Sequence, residues 1–265
     1  MATSASWTLF DMAEAPPAPI VGHAGLDGRA LVDNTDPGGS SLLALRYEPG
    51  AGDAHRRHGV GQVTLVVEGE LRIDGRPCGP GAGCYAPAGR TYAVEAGPEG
   101  AVAVEFRPAP IVYGTGAEDV AEMPVKPPTD ADPAYAWDVM QSSGPVTSVH
   151  DFSYFDIHTM PEREVSAEMW IQALVNHAED EGHSMLMVRH AAGNVTPTHS
   201  HDVDQIVLVL DGSIKQGSRV FTPGTGFFTP KGRRYMLTAG DEGTVRVEWR
   251  PSSLRFATDW AAPRA

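Results

Sequence analysis

The chain has 265 residues, of which 42% are hydrophobic and 20% charged, and these values are ordinary for a globular protein. Its formal net charge of −14 disfavours a nucleic-acid or anionic-membrane partner, and no apolar run approaches the length of a membrane span. The N-terminus lacks the basic and apolar regions of a signal peptide and only two cysteines occur, so we expect a cytoplasmic protein without a disulfide framework, in which Cys84 is a small core residue.

Short β-prone runs, separated by glycine, proline and aspartate turns, fill the first part of the chain. They recur at intervals of roughly 8–12 residues, and no long helical stripe interrupts them, which predicts a small antiparallel sandwich or barrel. The runs lie at residues 41–47, 63–68, 71–73, 83–86, 91–95 and 101–106.

The second part of the chain repeats the first. A shift of 143 residues aligns Ser41–Pro108 with Ser184–Pro251 without a gap, and 27 of the 68 aligned positions are identical. This similarity indicates a duplicated domain, with one copy at 1–110 and the other at 150–265. The segment between them, 111–149, is rich in proline and acidic residues and is predicted to be a linker.

The second repeat carries a polar pattern next to an apolar run. His199 and His201 alternate, and Gln205 follows in phase with them, so on one strand all three side chains would point to one side. Val207 and Val209 continue that face. Because the run is apolar on both faces, we expect a buried strand that carries polar groups into an enclosed space.

The spacing in both repeats resembles the cupin superfamily. Its first motif, G-x5-H-x-H-x3/4-E-x6-G, is approached by Gly193, His199, His201, Gln205 and Gly212. Its second motif, G-x5-P-x-G-x2-H, is approached by Gly224, Pro230, Gly232 and Tyr235. The first repeat keeps the same frame at Gly50, Arg56, His58, Gln62, Gly69, Gly81, Pro87, Gly89 and Tyr92. The resemblance implies an all-β bicupin, with two tandem cupin domains that are each a double-stranded β-helix or jelly-roll barrel.

The same resemblance implies a metal site, because cupins bind one divalent metal through the two histidines, the glutamate and the last histidine. Carried over, His199, His201 and Gln205 are the candidate ligands, and Fe, Mn, Ni, Zn and Cu all suit imidazole. Gln205 lacks the charge of glutamate, so we expect weaker binding. Tyr235 stands at the fourth position, where its ordinary pKa near 10 favours acid–base catalysis over ligation. The H-x-H-x3-Q pattern is similar to that of the bicupin isomerase of bacilysin biosynthesis.

Further candidate residues surround these positions. Tyr235 and Gln205 are the candidate catalytic residues, and the pocket wall is predicted to include His190, Trp249 and Phe228. In the first repeat Arg56 replaces the first histidine and cannot bind a metal. That domain is predicted to be metal-free, or to hold a weak second site lined by His58, Gln62 and Tyr92.

Other polar residues are predicted to have structural or solvent-exposed positions. The pairs Glu105/Arg107 and Glu248/Arg250 share one strand face each and are expected to be ion pairs. The histidines outside the motifs lie in acidic or turn-like segments and are expected to be solvated: His150, His158, His177 and His183.

Three functions are consistent with these patterns. The first is a metal-dependent enzyme that uses a Lewis acid to isomerise, cyclise or eliminate a small organic molecule. The second is a non-haem iron dioxygenase, although its usual carboxylate ligand is missing here. The third is a cupin that binds a small ligand or a metal without chemistry. In each case we expect a small-molecule partner and a monomer or homodimer.

Overall fold

The computed structural model describes residues 7–18, 24–34, 39–109, 148–177 and 182–252, and every regular element in these ranges is a β strand. The first strands are β1 (Thr8–Asp11), β2 (Pro17–Ala18), β3 (Leu26–Asp33), β4 (Ser41–Tyr47), β5 (Gly52–Arg56), β6 (Gln62–Ile73), β7 (Arg76–Cys78), β8 (Ala82–Ala86) and β9 (Tyr92–Arg107). The others are β10 (Ser153–Asp156), β11 (Arg163–Ser166), β12 (Met169–Asn176), β13 (Ser184–His190), β14 (Val195–His199), β15 (Gln205–Gln216), β16 (Arg219–Phe221), β17 (Thr225–Thr229) and β18 (Tyr235–Arg250). Within these ranges there is no helix long and apolar enough to span a membrane.

The strands form two nine-stranded sheets with the same order. One runs β10-β8-β6-β9-β4-β3-β2, with β5 paired to β9 and β7 paired to β6. The other runs β1-β17-β15-β18-β13-β12-β11, with β14 paired to β18 and β16 paired to β15. Strands β4 to β9 begin and end 143 residues before β13 to β18. The all-β tandem fold predicted from the sequence is confirmed.

Each sheet includes one strand whose sequence belongs to the other half of the chain. β1 pairs with β17, and β10 pairs with β8. We therefore define the C-terminal barrel as residues 7–10 with 160–252, and the N-terminal barrel as residues 11–109 with 148–159, within the described ranges. The predicted boundaries at 1–110 and 150–265 differ from this at both ends, because β1 and β10 cover edge strands that the repeats leave open. Residues 111–147 of the predicted linker lie outside the described ranges.

One strand of the N-terminal barrel is longer than the sequence pattern suggests. The predicted runs 63–68 and 71–73 form a single strand, β6, which bends at a bulge around Gly69. Gly69 has a φ of 69°, and a Cβ there would lie 2.1 Å from the carbonyl oxygen of Gly100. Glycine is therefore required where the bent strand passes its neighbour, and its turn-like signal conceals the continuity of the strand.

Apolar side chains from the strands fill both barrels. In the N-terminal barrel the cluster includes Cys84, which is fully buried, as predicted for a small core residue. In the C-terminal barrel the face of β15 that carries Gln205 continues with Val207 and Val209, both fully buried. Trp7 stacks on Phe227 with ring centroids 5.0 Å apart. The polar residues of the second repeat thus project into an enclosed apolar space.

Candidate active site in the C-terminal barrel

The residues at the four motif positions come from three strands and one loop. His199 ends β14, Gln205 begins β15 and Tyr235 begins β18. His199 is directly opposite Tyr235 in the pairing of β14 with β18. His201 lies in the loop 200–204 between β14 and β15.

The loop replaces the single strand that the alternation predicts. The carbonyl oxygen of His201 accepts a hydrogen bond from the backbone N–H of Gly232 at 2.6 Å. The carboxylate of Asp204 accepts one from the N–H of Lys231 at 3.0 Å. These bonds tie the loop to the connection before β18, so the prediction that His201 continues the strand of His199 is wrong. The two imidazole rings still meet, with centroids 5.0 Å apart.

A chain of hydrogen bonds runs from His201 through Tyr235 and Gln205 to Glu248. Nε2 of His201 lies 3.0 Å from the Tyr235 hydroxyl, which donates to Oε1 of Gln205 at 2.5 Å. Nε2 of Gln205 donates to Oε2 of Glu248 at 2.7 Å. Because a carboxylate only accepts, the amide presents its oxygen to Tyr235. Tyr235 uses its one proton on that oxygen, so Nε2–H of His201 is the donor to Tyr235.

Two guanidinium groups flank the carboxylate at the end of this chain. Arg246 contacts Oε1 of Glu248 through Nε and Nη2, both at 2.9 Å, and Arg250 lies 3.2 Å from Oε2. Burial alone would raise the pKa of Glu248, but the two arginines outweigh it and hold the pKa below its ordinary value. The ion pair of Glu248 with Arg250 is confirmed. With two cations and one anion, the buried group carries a net charge of +1.

His199 is held in the tautomer that leaves Nε2 unprotonated. Its Nδ1 lies 2.8 Å from the carbonyl oxygen of Pro197, to which it donates. Burial lowers the pKa of both His199 and His201, so both rings are neutral near pH 7. Burial, and then the charge of Glu248, raise the pKa of Tyr235, whose ring centroid is 4.4 Å from that of His199. The site therefore combines two neutral imidazoles with a protonated phenol.

Two residues predicted for the pocket wall lie on the opposite face of the sheet. Phe228 and Trp249 are both opposite Ile206, one residue from Gln205. Side chains directly opposite each other share a face, and successive side chains alternate. Phe228 and Trp249 therefore do not line the space around Gln205, contrary to the prediction, and Phe227 faces that space instead.

Two histidines predicted to be solvated are buried beside Trp249. The backbone N–H of His183 donates to Nδ1 of His177 at 2.6 Å, and Nε1–H of Trp249 lies 3.3 Å from Nδ1 of His183. Burial, with a smaller effect of His177, lowers the pKa of His183 to about 3. The prediction failed because these residues flank the connection from β12 to β13, where neither ring has the period of an apolar strand. His150 and His158 are exposed, as expected.

The N-terminal barrel fills the corresponding region with Arg56. Its guanidinium forms an ion pair with Glu105, donates to the Tyr47 hydroxyl at 2.6 Å and reaches Nε2 of His58 at 3.0 Å. Arg107 also pairs with Glu105, at 2.6 Å. The lone pair of His58 is therefore used within the protein, and a fixed positive charge occupies the position equivalent to His199.

The two glutamines at equivalent positions have opposite amide orientations. Oε1 of Gln62 accepts from Nε of Arg107 at 2.7 Å, so its Nε2 faces Tyr92 and Thr64, at 3.2 and 3.1 Å. In the C-terminal barrel it is the oxygen of Gln205 that faces the tyrosine. An amide nitrogen cannot bind a metal, so His58, Gln62 and Tyr92 lie together without forming a ligand set.

The side chains at the motif positions of the C-terminal barrel are of types that bind divalent metals. Their candidate ligand atoms also converge on one region. His199 Nε2 is open, and its Nδ1–H···O=C bond is the outer contact that metal-bound histidines usually make. His201 Nε2 and Gln205 Oε1 both contact one point, the Tyr235 hydroxyl. The part of the chain that the structure describes has no cluster of three or more histidine, cysteine or acidic side chains that could hold a metal. Any metal here would therefore depend on neutral donors.

Two residues that the sequence analysis did not single out support this site. Arg246 replaces Ala103 of the first repeat, and Asn194 replaces Ala51. Nδ1 of His190 lies 2.7 Å from Oδ1 of Asn194. The sequence did carry a signal for these two residues, because each is polar in the second repeat and alanine in the first. Duplication alone would have kept the two repeats alike at these positions.

Comparisons with known proteins agree with the fold. The sequence profile of the ChrR Cupin-like domain family matches residues 150–248, the repeat that contains the site. A solved structure of a candidate dioxygenase from Nostoc punctiforme is similar at 12% identity and a TM-score of 0.70, over 96% of this chain and 85% of that chain. No match was found among curated proteins.

Two further structures are similar over nearly the whole chain. A mutant of oxalate decarboxylase OxdC from Bacillus subtilis aligns at 12% identity and a TM-score of 0.62, over 97% of this chain and 80% of that chain. The protein Ylba from E. coli aligns at 10% identity and a TM-score of 0.63, over 97% and 96%. The fold is that of tandem cupin domains, and at these identities the likeness concerns the fold alone.

Proposed function

We propose that the C-terminal barrel is the active site of a metal-dependent cupin enzyme that isomerises, cyclises or eliminates a small organic substrate. The observation that carries this proposal is the convergence of His201 Nε2 and Gln205 Oε1 on one hydroxyl, beside a second imidazole with an open Nε2. The ligands would be His199, His201 and Gln205. Bound there, a divalent metal supplies a Lewis acid that polarises a carbonyl oxygen.

Tyr235 is the residue proposed to move a proton. Its raised pKa keeps the phenol protonated, so it can donate to a substrate oxygen and recover the proton later. His201 and Gln205 hold the hydroxyl when they are not ligands. As ligands they would release the hydroxyl towards the substrate, and the proton of His201 would move from Nε2 to Nδ1. Glu248 fixes the orientation of the Gln205 amide by accepting its N–H. The arginine partners of Glu248 keep that carboxylate ionised.

The candidate metal ligands are all neutral, which favours a reaction without a redox change. A familiar iron dioxygenase site includes a carboxylate that offsets part of the metal charge. Here the carboxylate that contacts Gln205 is Glu248, and it is bound to Arg246 and Arg250. A similar pattern in a bicupin isomerase of bacilysin biosynthesis supports the same class of reaction. The iron dioxygenase and the binding protein without chemistry remain the alternatives that the experiment distinguishes.

The test is the metal content of untagged protein, measured by mass spectrometry before and after reconstitution. We expect about one equivalent in the parent protein and none in a His199→Ala/His201→Ala double variant that keeps its circular dichroism spectrum. The matched control is His58→Ala, at the position equivalent to His201, which should keep the full equivalent because Arg56 occupies that region.

The bound metal then selects the activity assay. Zinc or manganese with exchange of solvent deuterium into small carbonyl compounds, tested with and without a carboxylate group, supports the proposal, and this exchange should be lost in Tyr235→Phe. Iron, together with substrate-dependent oxygen uptake, would instead support the iron dioxygenase. No metal after reconstitution, or equal metal in the double variant, would refute the proposed site.

A further inference from the structure

Nε2 of His190 and Nη1 of Arg246 are buried nitrogens of the C-terminal barrel for which the described residues offer no hydrogen-bond partner. Nδ1–H of His190 donates to Oδ1 of Asn194, whose Nδ2 is held by the carbonyl oxygen of Ala167, so Nε2 of His190 is an acceptor. His190 is 3% exposed and Arg246 is 2% exposed. Leaving such groups unpaired in the protein interior destabilises the fold, and the cost is larger for a charged group.

These two nitrogens belong to one neighbourhood on the inner face of the sheet. In the pairing of β13 with β18, His190 is opposite Thr244 and Arg246 is opposite Val188. Arg246 is also opposite Val209 of the apolar cluster inside the barrel. His190 and Arg246 are therefore diagonal neighbours on one face. Burial, and then the charge of Arg246, lower the pKa of His190 to about 4.

In the N-terminal barrel, a side chain of the protein itself occupies the equivalent region. There the Arg56 guanidinium connects Tyr47, the counterpart of His190, with Glu105, the counterpart of Glu248. In the C-terminal barrel the shorter His199 replaces Arg56. None of the hydrogen bonds among the described residues connects His190 with Glu248.

The chemistry of the region selects a ligand that is both anionic and a hydrogen-bond donor. Nη1 of Arg246 is a buried donor on a cationic group, and an anionic acceptor satisfies such a donor best. The acceptor at His190 requires an O–H or N–H. We propose that the active-site substrate is a small carboxylate bearing a hydroxyl group, bound through Arg246 Nη1 and His190 Nε2. This substrate class rests on the function proposed above, but the contacts do not use the metal ligands.

The test is calorimetric titration of chelator-treated, metal-depleted protein with glycolate, acetate and ethylene glycol at matched ionic strength. We expect glycolate to bind about tenfold more tightly than acetate, which corresponds to about 1.4 kcal/mol for the hydroxyl contact, and ethylene glycol not to bind. In His190→Phe the preference for glycolate over acetate should fall to about one. In Arg246→Met both carboxylates should bind at least tenfold more weakly. Tyr47→Phe, the matched control in the other barrel, should leave both affinities unchanged.

The preference measured in His190→Phe decides the result even if Arg246→Met does not fold. A glycolate preference that persists in His190→Phe, or no binding of glycolate to the parent protein, would overturn the inference. Binding that appears only after metal is restored would overturn it too, while leaving the metal proposal intact. Glycolate binding with this His190 dependence, in protein that never takes up metal, would support the inference and refute the metal site.

Discussion

Replacing the same tyrosine in the two barrels should have unequal effects on stability. Tyr235 and Tyr92 occupy equivalent positions, and both are almost fully buried, at 4% and 2% exposure. Tyrosine-to-phenylalanine substitutions therefore remove the same atom from similar surroundings. The hydrogen bonds differ, because Tyr235 accepts from His201 and donates to Gln205, whereas Tyr92 has one such contact, at Gln62.

The size of the difference follows from the groups left unpaired. Tyr235→Phe leaves a buried donor on His201 and a buried acceptor on Gln205, at about 1.5 kcal/mol each, or about 3 kcal/mol together. After Tyr92→Phe the Gln62 amide nitrogen keeps its bond to Thr64, so we expect a loss of about 1 kcal/mol. Each kcal/mol should lower the melting temperature of a unit of this size by about 4 °C.

Differential scanning calorimetry of metal-depleted protein measures both effects under one condition. We expect the unfolding transition to fall by roughly 12 °C in Tyr235→Phe and by roughly 4 °C in Tyr92→Phe. Amide hydrogen exchange would assign each change to its barrel. Equal losses in the two variants, or a larger loss in Tyr92→Phe, would show that the Tyr235 hydroxyl is not bonded on both sides.

Three further perturbations test other parts of the molecule. Glu248→Ala removes the carboxylate that two buried guanidiniums contact and should cost about 3–5 kcal/mol in urea unfolding; a loss below about 1 kcal/mol would contradict the buried ion-pair network. The unfolded state protonates His183 below about pH 6.5, but the folded state does so only near pH 3. The free energy of unfolding should therefore decrease as the pH is lowered between those values, by up to about 1.4 kcal/mol per unit. His183→Phe should reduce that slope by up to about 1.4 kcal/mol per unit and leave the contribution of other buried histidines such as His190, and an unchanged slope would exclude this cause. Trp7→Ala removes the stack on Phe227 and should cost about 2–3 kcal/mol, whereas an unchanged melting temperature would mean that this stack contributes little to stability.

Much of the architecture could be predicted because duplication and strand periodicity are local properties of the chain. The shift of 143 residues anticipated six strand pairs residue for residue, and the motif spacing brought His199, His201, Gln205 and Tyr235 together. Residue type also decided that Arg56 excludes a metal from its own position, since a guanidinium has no lone pair to offer.

Tertiary structure decided the properties that depend on partners distant in sequence. The exchange of β1 and β10 depends on which edge strand is open, and the burial of His177 and His183 depends on neighbours across the sheet. Gln62 and Gln205 have the same side chain in the same motif frame. Their amides are reversed because Arg107 binds the oxygen of Gln62, whereas Glu248 binds the nitrogen of Gln205. A sequence supplies an amide, but only the charge packed against it determines whether oxygen or nitrogen faces the site.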